Sequence, residues 1–174
     1  LVGNDGVSIE PDDLACHTND SYGRYAPTKD GLHRGTPPRV VVNPTHVDQV
    51  LAVACYSSER GIPLIPWGGG TGVAGGALAV DGSIVMDLKK LNRIDAVDVE
   101  NRTATVGGGV ILEQVAQVLE GQGLILGHDP WSLPIATVGG AVATNGVGYL
   151  AGKYGSMGDQ VVGLEVVLPY GEVL

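Results

Sequence analysis

Two glycine-dense stretches carry the residues of this chain that could do chemistry. The first, Pro66-Trp67-Gly68-Gly69-Gly70-Thr71-Gly72-Val73-Ala74-Gly75-Gly76, follows the short apolar run Ile62-Pro63-Leu64-Ile65. Successive backbone N–H groups with almost no Cβ atoms in the way can curl into a concave anion nest and let a diphosphate approach the main chain. That chemistry is the cradling of a nucleotide cofactor, and a flexible surface loop is the alternative. The second stretch, Ala136-Thr137-Val138-Gly139-Gly140-Ala141-Val142-Ala143-Thr144-Asn145-Gly146-Val147-Gly148, precedes Lys153-Tyr154-Gly155 and the apolar run Val161 to Leu168. Two such segments, each beside apolar runs, can be two walls of one cofactor groove. Thr137 to Gly148 taken alone also fits a tight turn between core elements.

The elements that must hold the first loop read clearly. Arg39-Val40-Val41-Val42 has the composition of a buried strand. Thr45 is placed to cap a helix whose Val47, Val50, Leu51 and Ala54 follow the i, i+3, i+4, i+7 spacing, and Gly61 ends it. Ile62 to Ile65 is the next strand, so the glycine loop falls at the carboxyl end of a β-α-β unit, where open α/β sheets place ligands. Beyond the loop, Ser83 to Leu88 is a strand, Leu91-Asn92-Arg93 a turn and Thr103 to Val106 another strand. Val110 to Leu119, with Ile111, Val115, Val118 and Leu119 on one face, makes a second amphipathic helix closed by Gly121 and Gly123. Val161 to Leu168 reads as a buried strand, Pro169-Tyr170-Gly171 as a turn and Glu172-Val173-Leu174 as a returning strand. A hairpin ending there leaves backbone groups without partners, which predicts a domain incomplete at its C-terminus.

The chain has 174 residues, 44% of them hydrophobic and 17% charged, the size and composition of one globular domain. Ten of its 28 glycines fall in the two short stretches above, a local clustering that favours backbone-mediated binding over low complexity. A net charge of −9 argues against nucleic acid as a partner. Cofactor phosphates must then be met by local N–H groups. Cys16 and Cys55 form no C-x-x-C pair; buried free thiols are expected, consistent with a reducing, cytoplasmic setting. No apolar run approaches the roughly 20 residues of a membrane span, and the N-terminus lacks a signal-peptide pattern.

The first loop, the run Gly127-His128-Asp129-Pro130-Trp131-Ser132, the segment Thr137 to Gly148, and Lys153-Tyr154-Gly155 through Gly163-Leu164-Glu165-Val166-Val167-Leu168 occur in that order. Together they resemble the FAD-binding, PCMH-type domain of the vanillyl-alcohol oxidase superfamily, in the branch of the FAD-linked glycolate oxidase chain, D-lactate dehydrogenase and alkylglycerone-phosphate synthase. The resemblance implies an α+β fold: two small β-rich subdomains decorated by helices, with the nucleotide between them. It is not a Rossmann fold, because the first loop lacks G-x-G-x-x-G spacing and no helix-opening pattern follows it. Residues 1–38 are expected to be a lead-in segment and residues 39–174 the FAD-binding domain, incomplete at its C-terminus. In the lead-in, Pro11-Asp12-Asp13-Leu14 looks like a helix start. Tyr22, Arg24, Tyr25, His33 and Arg34 could touch a substrate or simply be solvated.

Several roles follow from the resemblance. Pro66, Trp67, Gly68, Gly69, Gly70, Thr71 and Gly72 would bind the FAD diphosphate. Pro130, Ser132, Leu133, Ala136, Thr137, Gly140, Thr144, Asn145 and Gly148 would line the second wall near the ring and ribityl chain, Gly140 and Gly148 by allowing close backbone approach. Trp131 departs from the Gly common at its place in the glycolate and lactate enzymes. Covalently flavinylated members carry a histidine in or beside the first loop, where this chain has Thr71 and Gly72, so non-covalent FAD is expected. The implied activity is oxidation of a small 2-hydroxy acid such as D-lactate, glycolate or D-2-hydroxyglutarate, with hydride passing from the substrate Cα to the flavin. An alkylglycerone-phosphate synthase-like enzyme and a non-catalytic flavin-binding subunit are the alternatives. Partners would be the substrate, an electron acceptor, and further copies or other subunits. His17, His33, His46 and His128 show no metal-ligand spacing, and no nucleophile–base pair is visible. The catalytic base is expected outside these residues.

Overall fold

Val40–Val42 form strand β2, and its neighbour on one side is a strand from the lead-in: β1, Val7–Ser8, pairs with it antiparallel. The computed structural model describes residues 1–25 and 34–174, which divide into two compact units, residues 1–88 with 164–174 and residues 89–163. In the first unit, α1 (Pro11–Cys16) and α2 (Ser21–Tyr25) precede β2. Then come α3 (Val47–Arg60), β3 (Leu64–Trp67) and β4 (Ile84–Asp87). The sheet order is β1-β2-β4-β3, with β2 and β3 both parallel to β4. β4 is central and buried along its whole length, which is why Ile84-Val85-Met86 reads as an unbroken apolar run. Val41, Trp67, Ala79 and Val85 form the core, with Leu14, Ile65 and Ala77 packed on it.

Helix α3 matches its expected span closely, and Gly61 closes it in the left-handed region at φ 60°. Its start differs. His46 occupies the N-cap without a side-chain capping bond, while the Thr45 N–H and hydroxyl both donate to Gln49 Oε1, at 2.7 and 3.2 Å.

The second unit holds the antiparallel pair β5 (Ile94–Asp98) and β6 (Thr103–Val106), then α4 (Leu112–Glu120), α5 (Val138–Ala143) and α6 (Ala151–Tyr154). The inward stripe of α4 is Leu112, Val115 and Leu119; Val118, expected inside, is exposed. One cluster joins Val110 to this stripe, and another joins Leu112 to Ala136, Ala141 and Met157.

Three expectations need correction. Val161 to Leu168 is no strand: only an isolated bridge between Val167 and Val173 forms, and Val162, Leu164 and Val166 are exposed. A strand needs a hydrogen-bonding neighbour as well as apolar residues: the returning segment reaches only 166–168, with Val166 N and O bonded to Leu174 and Leu168 N to Glu172 O, and among the described residues none runs beside 161–165. The thiols are not buried: Cys16 is exposed and Cys55 half-buried, both free. The lead-in is more than a solvated segment, since His17, Thr18 and Asp20 are buried. His33 and the side chain of Tyr25 lie outside what the structure describes. Among the described residues no helix is long and apolar enough to cross a membrane.

Candidate functional site

Because β3 and β4 are parallel and Trp67 is in register with Asp87, the glycine loop leaves the sheet at the carboxyl end of its strands. Trp67 faces the core, 4% exposed, and Gly70 lies against its indole: a Cβ there would stand 2.6 Å from Trp67 Cζ2. Gly70 has φ +64°, a conformation a side chain rarely adopts. Gly70 is buried, Gly68, Gly69, Thr71 and Gly72 are half-buried, and Pro66 is exposed.

Among the described residues, none of residues 68–76 donates a backbone hydrogen bond to another main-chain group. Their carbonyls are used selectively. Gly70 O accepts from Ser21 N at 2.9 Å and from the Ser21 hydroxyl at 3.3 Å, and Gly72 O accepts from Tyr22 N at 3.0 Å. In a trans peptide the C=O and the following N–H point in opposite directions, and among the described residues no cis bond is present. Holding the carbonyls of Gly70 and Gly72 against residues 21–22 therefore turns the N–H groups of Thr71 and Val73 away from them. Thr71 is half-buried and Val73 exposed, and main-chain donors with no acceptor among the described residues suit an anionic ligand, so the loop fits a nucleotide diphosphate.

Beside the loop, His17 makes an edge contact with Trp67, ring centroids 5.2 Å apart. Its Nε2 lies 3.0 Å from Asp87 Oδ2, and its Nδ1 lies 2.8 Å from the Asp13 carbonyl and 3.1 Å from Asp13 Oδ1. Both ring nitrogens thus face acceptors, the arrangement of an imidazolium that donates from each. Burial alone would push the His17 pKa down, but the hydrogen bonds to Asp87 and Asp13 and the charges of both carboxylates outweigh it and hold the pKa above 6.5. The unfolded chain releases this proton near 6.5 while the folded chain keeps it. The stabilisation is therefore complete below 6.5 and is lost as the pH climbs through the raised folded value. Urea midpoints should show the parent losing part of its advantage over a His17→Gln variant across that rise. His128, buried in the second unit, is shifted down by its burial against a smaller opposing pull from Asp129. It costs stability as the pH falls below 6.5, and the difference between parent and variant cancels it.

In the second unit, the run from Pro130 turns back at Ser132, whose carbonyl accepts from Ile135 N and Ala136 N. Trp131, the departure noted above, is exposed at its tip. Residues 108–113 run beside 133–139, with bonds from Glu113 N to Leu133 O, Leu112 N to Ala136 O, Val138 N to Val110 O and Gly139 N to Gly108 O. Ala136 and Thr137 are buried by this pairing. Thr137 is the N-cap of α5, its hydroxyl oxygen accepting from Gly140 N at 3.3 Å. Thr144 donates back to Gly140 O at 3.0 Å, and Asn145, at φ +46°, accepts from Gly158 N through Oδ1 at 2.9 Å. Leu133 packs on the inner cluster, Gly140 is exposed, and a Cβ on Gly148 would meet the main chain of Asp129. Sequence reasoning placed the two glycine stretches but missed His17, Asp20 and Ser21. The only signal was Asp20-Ser21 at a helix start, an N-cap pattern. Among the described residues, no group of three or more His, Cys, Asp and Glu could hold a metal ion.

A glycine loop at the carboxyl ends of parallel strands, with main-chain donors that have no acceptor among the described residues and no helix directly following, defines a nucleotide-binding α+β domain that is not a Rossmann fold. The chain belongs to the FAD binding domain family, which matches residues 38–174. It is 38% identical to glycolate oxidase subunit GlcD of Bacillus subtilis (strain 168) over 137 residues, 79% of this chain and 29% of that protein. It is 42% identical to a D-lactate dehydrogenase of Anaerostipes hadrus over 137 residues, again 79% of this chain and 29% of that protein. A solved alkyldihydroxyacetonephosphate synthase superposes with TM-score 0.87 at 26% identity, covering 100% of this chain and 32% of that one. The fold is the PCMH type. The chain spans about a third of the length of such relatives.

Proposed function

We propose that this chain is the FAD-binding portion of a flavin-dependent oxidoreductase that oxidises a small 2-hydroxy acid of the D-lactate or glycolate kind. The observation that carries this is the run of N–H groups over residues 68–76 that have no acceptor among the described residues, in a family member whose relatives are named for glycolate and D-lactate. The N–H groups of Gly68, Gly69, Gly70, Thr71 and Gly72 bind the diphosphate, the Thr71 hydroxyl adds one bond, and Pro66 and Trp67 set the loop's entry. Each charge-assisted bond of this type contributes about 1.5–3 kcal/mol, so a handful suffices for submicromolar binding.

Residues Pro130, Ser132, Leu133, Ala136, Thr137, Gly140, Thr144, Asn145 and Gly148 serve the ring and ribityl chain. Bound FAD supplies the hydride-accepting centre. The residues described here bind and orient it, and none is assigned a catalytic step. With Thr71 and Gly72 where covalent members carry histidine, the flavin is held non-covalently. The partners are a small-molecule substrate and an electron acceptor, and the setting is cytoplasmic.

Anaerobic addition of D-lactate or glycolate to the whole protein should bleach the oxidised flavin bands, and acid precipitation should release all of the yellow cofactor into the supernatant. Flavin left in the pellet would refute non-covalent binding. A flavin that stays oxidised with every 2-hydroxy acid would overturn the activity. It would favour instead an alkylglycerone-phosphate synthase-like enzyme, the reading supported by the structural match across this chain, which covers 32% of that synthase, and by the Gly127-His128-Asp129-Pro130 run.

A further inference from the structure

The family match begins at residue 38, yet the glycine loop is gripped by residues that precede it. Asp20 is completely buried and its two carboxyl oxygens face different parts of the first unit. Oδ1 accepts from Gly23 N at 3.1 Å, the N-cap bond that starts α2, and Oδ2 accepts from Ala77 N at 3.3 Å, just past the far end of the loop. With α2 so started, its first two N–H groups have no partner inside the helix. They donate to Gly70 O and Gly72 O instead. One side chain therefore fixes three points of the loop: Ala77 directly, and Gly70 and Gly72 through the helix start it caps. A Cβ on Gly72 would also lie 3.5 Å from Asp20 Oδ2, so the carboxyl sits directly behind the loop.

We propose that Asp20 is the positioning residue of the FAD loop: by capping α2 and holding Ala77, it aligns the carbonyls of Gly70 and Gly72 inward and thereby aims the N–H groups of Thr71 and Val73 at the diphosphate. This rests on the assignment of residues 68–72 to the FAD diphosphate. Asp20 touches no cofactor atom and acts only through the loop. The affinity of this domain for FAD is thus set partly by a segment outside the family's matched span.

The test uses the whole protein, stripped of flavin and titrated with FAD and with FMN, which lacks the diphosphate link. Asp20→Asn keeps the shape but turns an N–H₂ toward one of the two N–H donors. Ser21→Pro, at the first helical position where proline is accommodated, removes the N–H donor to Gly70 O and the hydroxyl and puts the ring Cδ where that hydrogen pointed, displacing the Gly70 carbonyl. Each variant should weaken FAD binding roughly tenfold, the loss of about one net hydrogen bond, while FMN binding changes by much less. Equal loss for both ligands means general loosening of the unit and overturns the positioning role. If Asp20→Asn fails to fold, Ser21→Pro decides the matter by the same ratio. FAD binding as tight as the parent's in both variants overturns the role of Asp20 alone. A parent that binds no FAD overturns the assignment of the loop and this proposal with it.

Discussion

Replacing Gly70 with valine is expected to lower FAD affinity by about two orders of magnitude in the whole protein. Two costs combine. At φ +64° a β-branched residue is a genuine outlier, and a non-glycine residue held in such a region costs about 1–3 kcal/mol. The new Cβ would also stand 2.6 Å from Trp67 Cζ2. Trp67 cannot retreat, because it is 4% exposed and packed with Val41, Ala79 and Val85. Overpacking of this kind costs about 1–3 kcal/mol more. The loop must yield, and the bond from Ser21 N to Gly70 O goes with it. Since every 1.4 kcal/mol is a factor of ten, a shared cost near 3 kcal/mol corresponds to roughly a hundredfold in Kd. Gly76→Ala is the control: among the described residues nothing lies within 4 Å of its Cβ position, and its N–H is retained. Fluorescence titration with FAD, well below the melting temperature, should separate the two. Gly70→Val binding FAD as tightly as Gly76→Ala would end the diphosphate assignment.

How much of this was legible beforehand depended on range. The loop, α3 and α4 follow from local patterns: glycine density after an apolar run, apolar residues at helical spacing, and Gly61 where a left-handed residue is required. β5 escaped notice because Ile94-Asp95-Ala96-Val97-Asp98 carries two carboxylates and is only half-buried along one face. α5 escaped because Val138-Gly139-Gly140 reads as loop, since glycine disfavours helix interiors. Here Gly139 is needed for another reason: a Cβ would come within 2.9 Å of Gly108 O, where the helix start crosses residues 108–110. The buried His17 and Asp20 were invisible for the same reason. Their partners Asp87 and Ala77 lie 70 and 57 residues away, and no local pattern tells a polar residue that will find such a partner from one that stays in water. In Val161 to Leu168 the error ran the other way, with strong strand propensity but a main-chain neighbour only at 166–168.

Gly148→Ala should destabilise the second unit by about 2–4 kcal/mol, combining an overpacking cost with the weakening of a hydrogen bond. The sequence offers two reasons for a glycine there, a cofactor pressed against the main chain or another piece of main chain. The structure shows the second contact. A Cβ on Gly148 would fall 2.6 Å from Asp129 N and 2.9 Å from both Asp129 C and Oδ1. Residues 149 and 150 are wrapped around that same aspartate, Tyr149 N donating to its carbonyl at 3.4 Å and Leu150 N to its Oδ1 at 2.7 Å. Backbone on the far side of a clash cannot swing aside as a side-chain tip can, so relief must come from spreading 129 away from 148–150 and giving up one of these bonds. For a domain of this size the loss corresponds to a fall in melting temperature of roughly 5–15 °C. That fall should appear with flavin absent as well as present. A variant that melts like the parent without FAD yet binds FAD poorly would show that the glycine serves the cofactor and that the contact with Asp129 is easily relaxed.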